Sequence, residues 1–122
     1  MLATSTGAMT RADVERIRAL KDIGCVACLM LGVTGRWPDA HHLTEGGRRL
    51  GHQQTAALCQ WHHVGRPDGG WTATEMRELY GPSFGLEPAA FREQFGSDAE
   101  LLAYQNRLIE RHQRISGISL CR

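Results

Sequence analysis

Apolar positions recur at helical spacing near both ends of this chain, and the middle is made of short apolar stretches between glycine-rich breaks. Thr10 reads as a helix N-cap with Asp13 in the first turn. Val14, Ile17 and Leu20 follow at helical spacing, Lys21 falls in the last turn and Gly24 stands as a stop. The spacing predicts a helix over about residues 11–23 that delivers the chain to Cys25, with Cys25 and Cys28 in a tight turn. The apolar run from Leu29 to Thr34 reads as strand or loop and ends at Gly35-Arg36-Trp37-Pro38. A short strand is expected to end at His41-His42-Leu43. Thr55 to Cys59 reads as a second strand, with a short helix beginning near His62.

Beyond a turn-rich link at Gly65 to Gly70, Thr72 and Glu75 form the capping-box pattern of a helix through Tyr80, broken by Gly81-Pro82-Ser83. A short helix is expected near Pro88 to Phe95, with Pro88 early in it. Ser97 and Glu100 form another capping box. It opens a final helix whose Leu101, Leu102, Tyr104, Leu108, Ile109 and Ile115 make one broad stripe. The fold class implied is α+β. Residues 1–9, small and polar, are expected to be a flexible tail, and residues 10–122 a single domain.

A chain of 122 residues buries a limited core, so a structural metal would contribute usefully to its stability. No apolar run is long enough to cross a membrane. The N-terminus has neither a basic start nor an apolar stretch, so no secretory signal is expected. The net charge of +1 neither demands nor excludes a nucleic-acid partner. Arg36, Arg48, Arg49 and Arg66 gather near the central window, whereas Asp98, Glu100 and Glu110 lie beyond it. Such a local patch can meet phosphates, although solvated arginines without a partner would look the same.

The chemistry concentrates in residues 40–65, which hold five of the six histidines: His41, His42, His52, His62 and His63. Cys25-Val-Ala-Cys28 lies just upstream, and Cys59-Gln-Trp-His62 lies inside the window. Cys-x2-Cys followed at a distance by Cys-x2-His is the ligand set of a closed tetrahedral zinc site. A filled shell leaves no position for substrate, so this zinc is expected to be structural. Two disulfides would be the other use of four cysteines, but these spacings in a chain without a signal favour metal and a reducing compartment. Cys121 could stand in for His62, yet it lies far from the other ligands in sequence. The glycine-rich segment Thr44 to Gly51 lacks the strand, GK[ST] and helix context of a phosphate-binding P-loop.

The order Cys-x2-Cys, His-His, Gly-His-x2-Thr, Leu-Cys-x2-His-His-x-Gly resembles the HNH (His-Me finger) nucleases. More narrowly it is similar to the phage and prophage recombination-enhancement nucleases, the Ref family. Phe91-Arg92-Glu93-Gln94-Phe95-Gly96 and Glu100-Leu101-Leu102 resemble that family's tail, and the likeness spans roughly residues 22–103. The resemblance implies a zinc-containing ββα-metal domain with flanking helices, and a metal-dependent DNA endonuclease acting in DNA recombination or processing. It implies His42 as general base and His52 near the place of the residue that orients it. It implies His41 and His63 as ligands of a second, catalytic divalent metal, with Arg48, Arg49 and Arg66 on the DNA backbone. The implied partners are DNA, single-stranded or in recombination intermediates, and a RecA-type recombinase filament. The implied setting is the cytoplasm of a bacterial host.

The residue types suit this chemistry. Phosphodiester hydrolysis needs a base that is effective near neutral pH, a Lewis acid at the scissile phosphate and cations for the backbone. Two departures from the pattern stand out. His41 occupies the place of an acidic ligand, which favours Mn²⁺ or another transition metal over Mg²⁺. Phe84 lies nearest the place where many resembling chains carry one more histidine. His112 reads as a surface or packing residue. The competing class is a non-catalytic zinc finger that binds DNA or protein. Such a module uses Cys25, Cys28, Cys59 and His62 but has no use for His41, His42 and His63.

Overall fold

The computed structural model describes residues 9–45, 48–49 and 54–120, without the side chains of 44, 45, 48, 49 and 116–120. The expected tail, apart from Met9, lies outside the described residues, as do His52 and Cys121. Helix α1 (Arg11–Ile23) begins at a reciprocal capping box. The Asp13 amide donates to the Thr10 hydroxyl at 3.1 Å, and the Thr10 amide donates to the Asp13 carboxylate at 3.0 Å. Of the Val14-Ile17-Leu20 stripe expected from spacing, Leu20 is buried and Ile17 packs against the same core, but the inward face is rotated away from Val14. Val14 is exposed, and Asp13, Arg16, Ala19 and Leu20 are buried. The buried guanidinium makes this possible. Arg16 donates to the Thr55 hydroxyl (3.3 Å), the Thr55 carbonyl (2.9 Å) and the Asn106 side chain (2.9 Å), so its polar end is satisfied inside the core.

The segment after Cys25 also departs from expectation. It forms a helical turn, α2 (Val26–Met30), in place of a tight turn, and only beyond it, from Leu31 to Thr34, does the chain run as the expected loop. The sulfur of Cys25 is its N-cap, accepting from the Cys28 amide at 3.4 Å.

Strands β1 (Pro38–His42) and β4 (Thr55–Cys59) pair antiparallel, with Pro38 opposite Cys59 and His42 opposite Thr55. Between them β2 (Thr44–Glu45) pairs with β3 (Arg48–Arg49). All five residues of β4 are buried, which its small side chains allow. Ala56 and Leu58 face one core with Cys28, Trp61, Met76, Phe91, Phe95 and Leu101, whereas Ala57 faces another with Ala19, Leu20 and Ile109. That is the period-two alternation of a strand buried on both sides. Gln105 serves the edge of β4 that β1 leaves open. Its side-chain oxygen accepts from the Ala57 amide and its nitrogen donates to the Thr55 carbonyl, both at 2.7 Å.

Helix α3 (Gln60–Val64) leaves β4 without a linker, two residues earlier than expected from sequence, and closes at Gly65 in the left-handed conformation. Helices α4 (Ala73–Tyr80), α5 (Pro88–Phe95) and α6 (Asp98–Leu120) fall where the caps and prolines place them. The Thr72–Glu75 box is reciprocal, and so is the Ser97–Glu100 pair of hydrogen bonds. Helix α6 packs on α1 and β4. His112 on α6 lies 3.2 Å from the Asp22 carboxylate of α1, in keeping with a packing role. Among the described residues no helix is long and apolar enough to cross a membrane. The architecture is α+β: among the described residues, a small two-stranded sheet of β1 and β4 packed among helices, with the short β2–β3 pair between its strands.

Candidate metal centre and adjoining histidine site

Cys25 caps the first turn of α2, Cys28 lies within it, Cys59 ends β4 and His62 lies in the first turn of α3. Three elements thus converge, and all four side chains are buried. The Nδ1 of His62 is 3.4 Å from Cys25 Sγ, 3.5 Å from Cys28 Sγ and 3.4 Å from Cys59 Sγ, while the Cys28 and Cys59 sulfurs are 3.8 Å apart. A regular tetrahedron with Zn–S of about 2.3 Å and Zn–N of about 2.05 Å has S···S edges of about 3.8 Å and S···N edges of about 3.6 Å. The donor set therefore fits a single cation such as zinc. His62 is also oriented for it: the other ring nitrogen, Nε2, donates to the Tyr80 carbonyl at 2.9 Å, leaving the Nδ1 lone pair for the centre.

Electrostatics point the same way. Burial opposes a charged His62, but hydrogen bonds with Cys25 and Cys59 outweigh it and raise its pKa to about 10. Hydrogen bonds with Cys25 and Cys28, together with His62, pull the Cys59 thiol far down. Cys28 is pushed far up by hydrogen bonding to Cys25 and Cys59 and by burial. Three sulfurs around one imidazole favour positive charge at their centre, which a divalent cation supplies.

Arg36 completes this surround. It donates to Cys59 Sγ at 3.6 Å and makes a forked pair with Asp68 at 3.1 and 3.0 Å, and its guanidinium lies 4.9 Å from the Tyr80 ring centre. Burial disfavours its charge, but the hydrogen bonds with Cys59 and Asp68 outweigh burial and hold its pKa above the usual value. Arg36 is therefore committed to the cysteine cluster, and the group of basic residues read from sequence loses it as a phosphate contact.

His41 on β1 faces His63 with ring centres 4.9 Å apart, and Phe84 packs on His41 at 4.8 Å. Burial lowers the His41 pKa to about 4, helped by the neighbouring His63 and opposed by Asp98. Its imidazole is neutral at neutral pH, the form that can hold a metal. His42, half-buried at the end of β1, is close enough to contribute to that depression. Strand β1 and helix α3 thus bring His41 and His63 together, with His42 next to His41 at the end of the strand. Arg48 and Arg49 form β3, Arg66 is exposed just past α3, and His52 lies outside the described residues.

Asp39, Arg92 and Asp98 were missed by sequence reasoning. Asp39 Oδ2 is 3.1 Å from His63 Nδ1. Arg92 lies over the Phe84 ring at 4.9 Å and pairs with Asp98 at 3.7 Å, and the charges of both are felt at His41. A signal for Asp39 existed: it stands two residues before His41 on one strand, hence on the same face. Arg92 and Asp98 reach the site only through tertiary packing. Among the described residues, the Cys25, Cys28, Cys59 and His62 cluster is the one group of three or more such side chains within mutual reach of a metal.

A family model described as "Recombination enhancement, RecA-dependent nuclease" matches residues 9–110. A search of curated proteins finds no significant match.

Proposed function

Because the chain belongs to the recombination-enhancement, RecA-dependent nuclease family, we propose that it is a metal-dependent DNA endonuclease of the HNH (His-Me finger) type, built on a ββα-metal core. The observation that carries this reading is the pairing of His41 with His63 across β1 and α3, 4.9 Å apart, beside a cluster that has already taken His62. The strand–strand–helix order of β1, β4 and α3 supports the same reading.

In this reading Cys25, Cys28, Cys59 and His62 hold a structural zinc that locks α2, β4 and α3 together. His41 and His63 hold a second divalent metal, and two imidazoles suit Mn²⁺ or another transition ion better than Mg²⁺. That cation would supply Lewis-acid stabilisation at the scissile phosphate and the leaving 3′ oxygen. The imidazole of His42 accepts a proton from the attacking water, a task suited to histidine, whose ordinary pKa is about 6.5. His52 orients that base. Arg48, Arg49 and Arg66 bind the DNA backbone and position it. Phe84 walls one side of His41.

The family description supports a RecA-dependent role in recombination. In this reading the chain works beside a RecA-type filament in the cytoplasm of a bacterial host, on single-stranded DNA or recombination intermediates. Incubating the purified protein with single-stranded, duplex and displaced-strand DNA, with and without a RecA filament and across several divalent metals, tests the proposal. Metal-dependent cleavage is expected on at least one of these substrates. Binding without cleavage under every condition would favour a non-catalytic zinc-finger module.

A further inference from the structure

His63 has two ring nitrogens, and only one of them can face the space it shares with His41. The other is engaged. Nδ1 lies 3.1 Å from Asp39 Oδ2, and a carboxylate only accepts, so Nδ1 carries the hydrogen and the Nε2 lone pair is left free. His62, its neighbour, is set the opposite way, with Nε2 donating to the Tyr80 carbonyl and Nδ1 turned to the sulfurs. Each of the two adjacent imidazoles thus has its own fixed partner on a different element.

The Asp39–His63 pair contributes little as a stabilising ion pair. The Asp39 side chain is 50% exposed and solvent screens it. Its geometry is more informative. Asp39 and His41 are two residues apart on β1 and share a face. One strand therefore presents both an imidazole beside His63 and the carboxylate that holds His63. His63 is itself partly exposed, so the pair is reachable from solvent.

We propose that Asp39 is a positioning residue that fixes His63 in the Nδ1–H tautomer and aims Nε2 at the site shared with His41. The inference rests on the endonuclease reading above. Partners of metal-binding histidines of this kind typically account for about 10–100-fold in metal affinity or activity. Asp39→Ala should therefore lose the bond, whereas Asp39→Asn, whose amide oxygen still accepts from Nδ1–H, should rescue part of it.

Two measurements on the full zinc-loaded chain test this. The first is ¹⁵N NMR of the imidazoles at a pH where they are neutral. His63 should be Nδ1–H in the wild type and a mixture in Asp39→Ala, with Asp39→Asn closer to the wild type. The second is Mn²⁺ binding read by electron paramagnetic resonance. It should weaken by about 10-fold or more in Asp39→Ala and less in Asp39→Asn, at unchanged zinc content. A His63→Ala arm separates the two levels of the account. If His63→Ala binds Mn²⁺ and cleaves like the wild type, the endonuclease reading of His63 fails. If His63→Ala is inactive while Asp39→Ala keeps wild-type tautomer and Mn²⁺ affinity, the positioning role alone is overturned. A wild-type His63 protonated on Nε2 overturns it whatever the variants do.

Discussion

His62 and His63 are neighbours in the chain, yet their Nδ1 atoms serve different partners. That of His62 sits 3.4 to 3.5 Å from three sulfurs, and that of His63 sits 3.1 Å from the Asp39 carboxylate. Helix α3 starts immediately after Cys59, so these residues lie in its first turn. Successive side chains on a helix point about 100° apart, and one is carried into the core while the next faces β1. Two centres can be built from one dipeptide in this way.

The first prediction concerns metal content. Protein purified without added metal should carry about one tightly held zinc per chain, as the tetrahedral spacing of the four ligands requires. Elemental analysis with thiol titration checks it. A zinc-free chain that remains folded with all four thiols titratable would remove the site.

The second concerns the base. His42→Ala should leave zinc and melting temperature nearly unchanged and slow hydrolysis by roughly 10²-fold or more. Single-turnover cleavage is the measurement, and activity within a few-fold of the wild type would exclude His42 from the role.

Arg36 and Arg66 should separate cleanly. Arg36 bonds to Asp68 and to the Cys59 sulfur, so Arg36→Ala should cost stability by about 1.5–3 kcal/mol, read in urea unfolding. Arg66 is exposed. Arg66→Ala should leave stability alone and lower the salt slope of DNA binding by about 1. A reduced salt slope for Arg36→Ala at full stability would instead make it a DNA contact.

Gly85 offers a test of how the site is walled. A Cβ there would lie 2.8 Å from the His63 carbonyl oxygen and 2.8 Å from the Val64 Cα, which are backbone atoms unable to give way. The Phe84 amide donates to the His62 carbonyl at 2.8 Å, so this loop is tied to α3 just where Phe84 covers His41. Gly85→Ala should lift the loop, lower the melting temperature by several degrees and reduce cleavage while zinc is retained. An unchanged melting temperature and rate would show that the loop yields freely.

Local features were the legible ones. The capping pairs Thr10–Asp13, Thr72–Glu75 and Ser97–Glu100 each join residues three apart, and the helices they open were expected where they occur. The cysteine and histidine spacing likewise pointed to the side chains that converge. What escaped needed distant partners. Nothing near Arg16 predicts that Thr55 and Asn106 will satisfy it in the core, so Val14 was expected inside in its place. Arg36 looked like a phosphate contact because Asp68 stands 32 residues away. The helical turn after Cys25 depends on a sulfur acting as cap, which ordinary N-cap preferences do not include. Asp39 was within reach of the alternation rule, since it shares a face with His41.

The central claim is that one dipeptide divides between a structural and a catalytic centre, and a paired measurement on His62→Ala and His63→Ala tests it most directly. Zinc content, melting temperature and DNA cleavage are recorded for both. His62→Ala should lose zinc and melt well below the wild type. His63→Ala should keep zinc and melting temperature nearly unchanged while cleavage is abolished. The reverse pattern would mean the two sites are exchanged, and identical behaviour of the two variants would contradict the existence of separate centres.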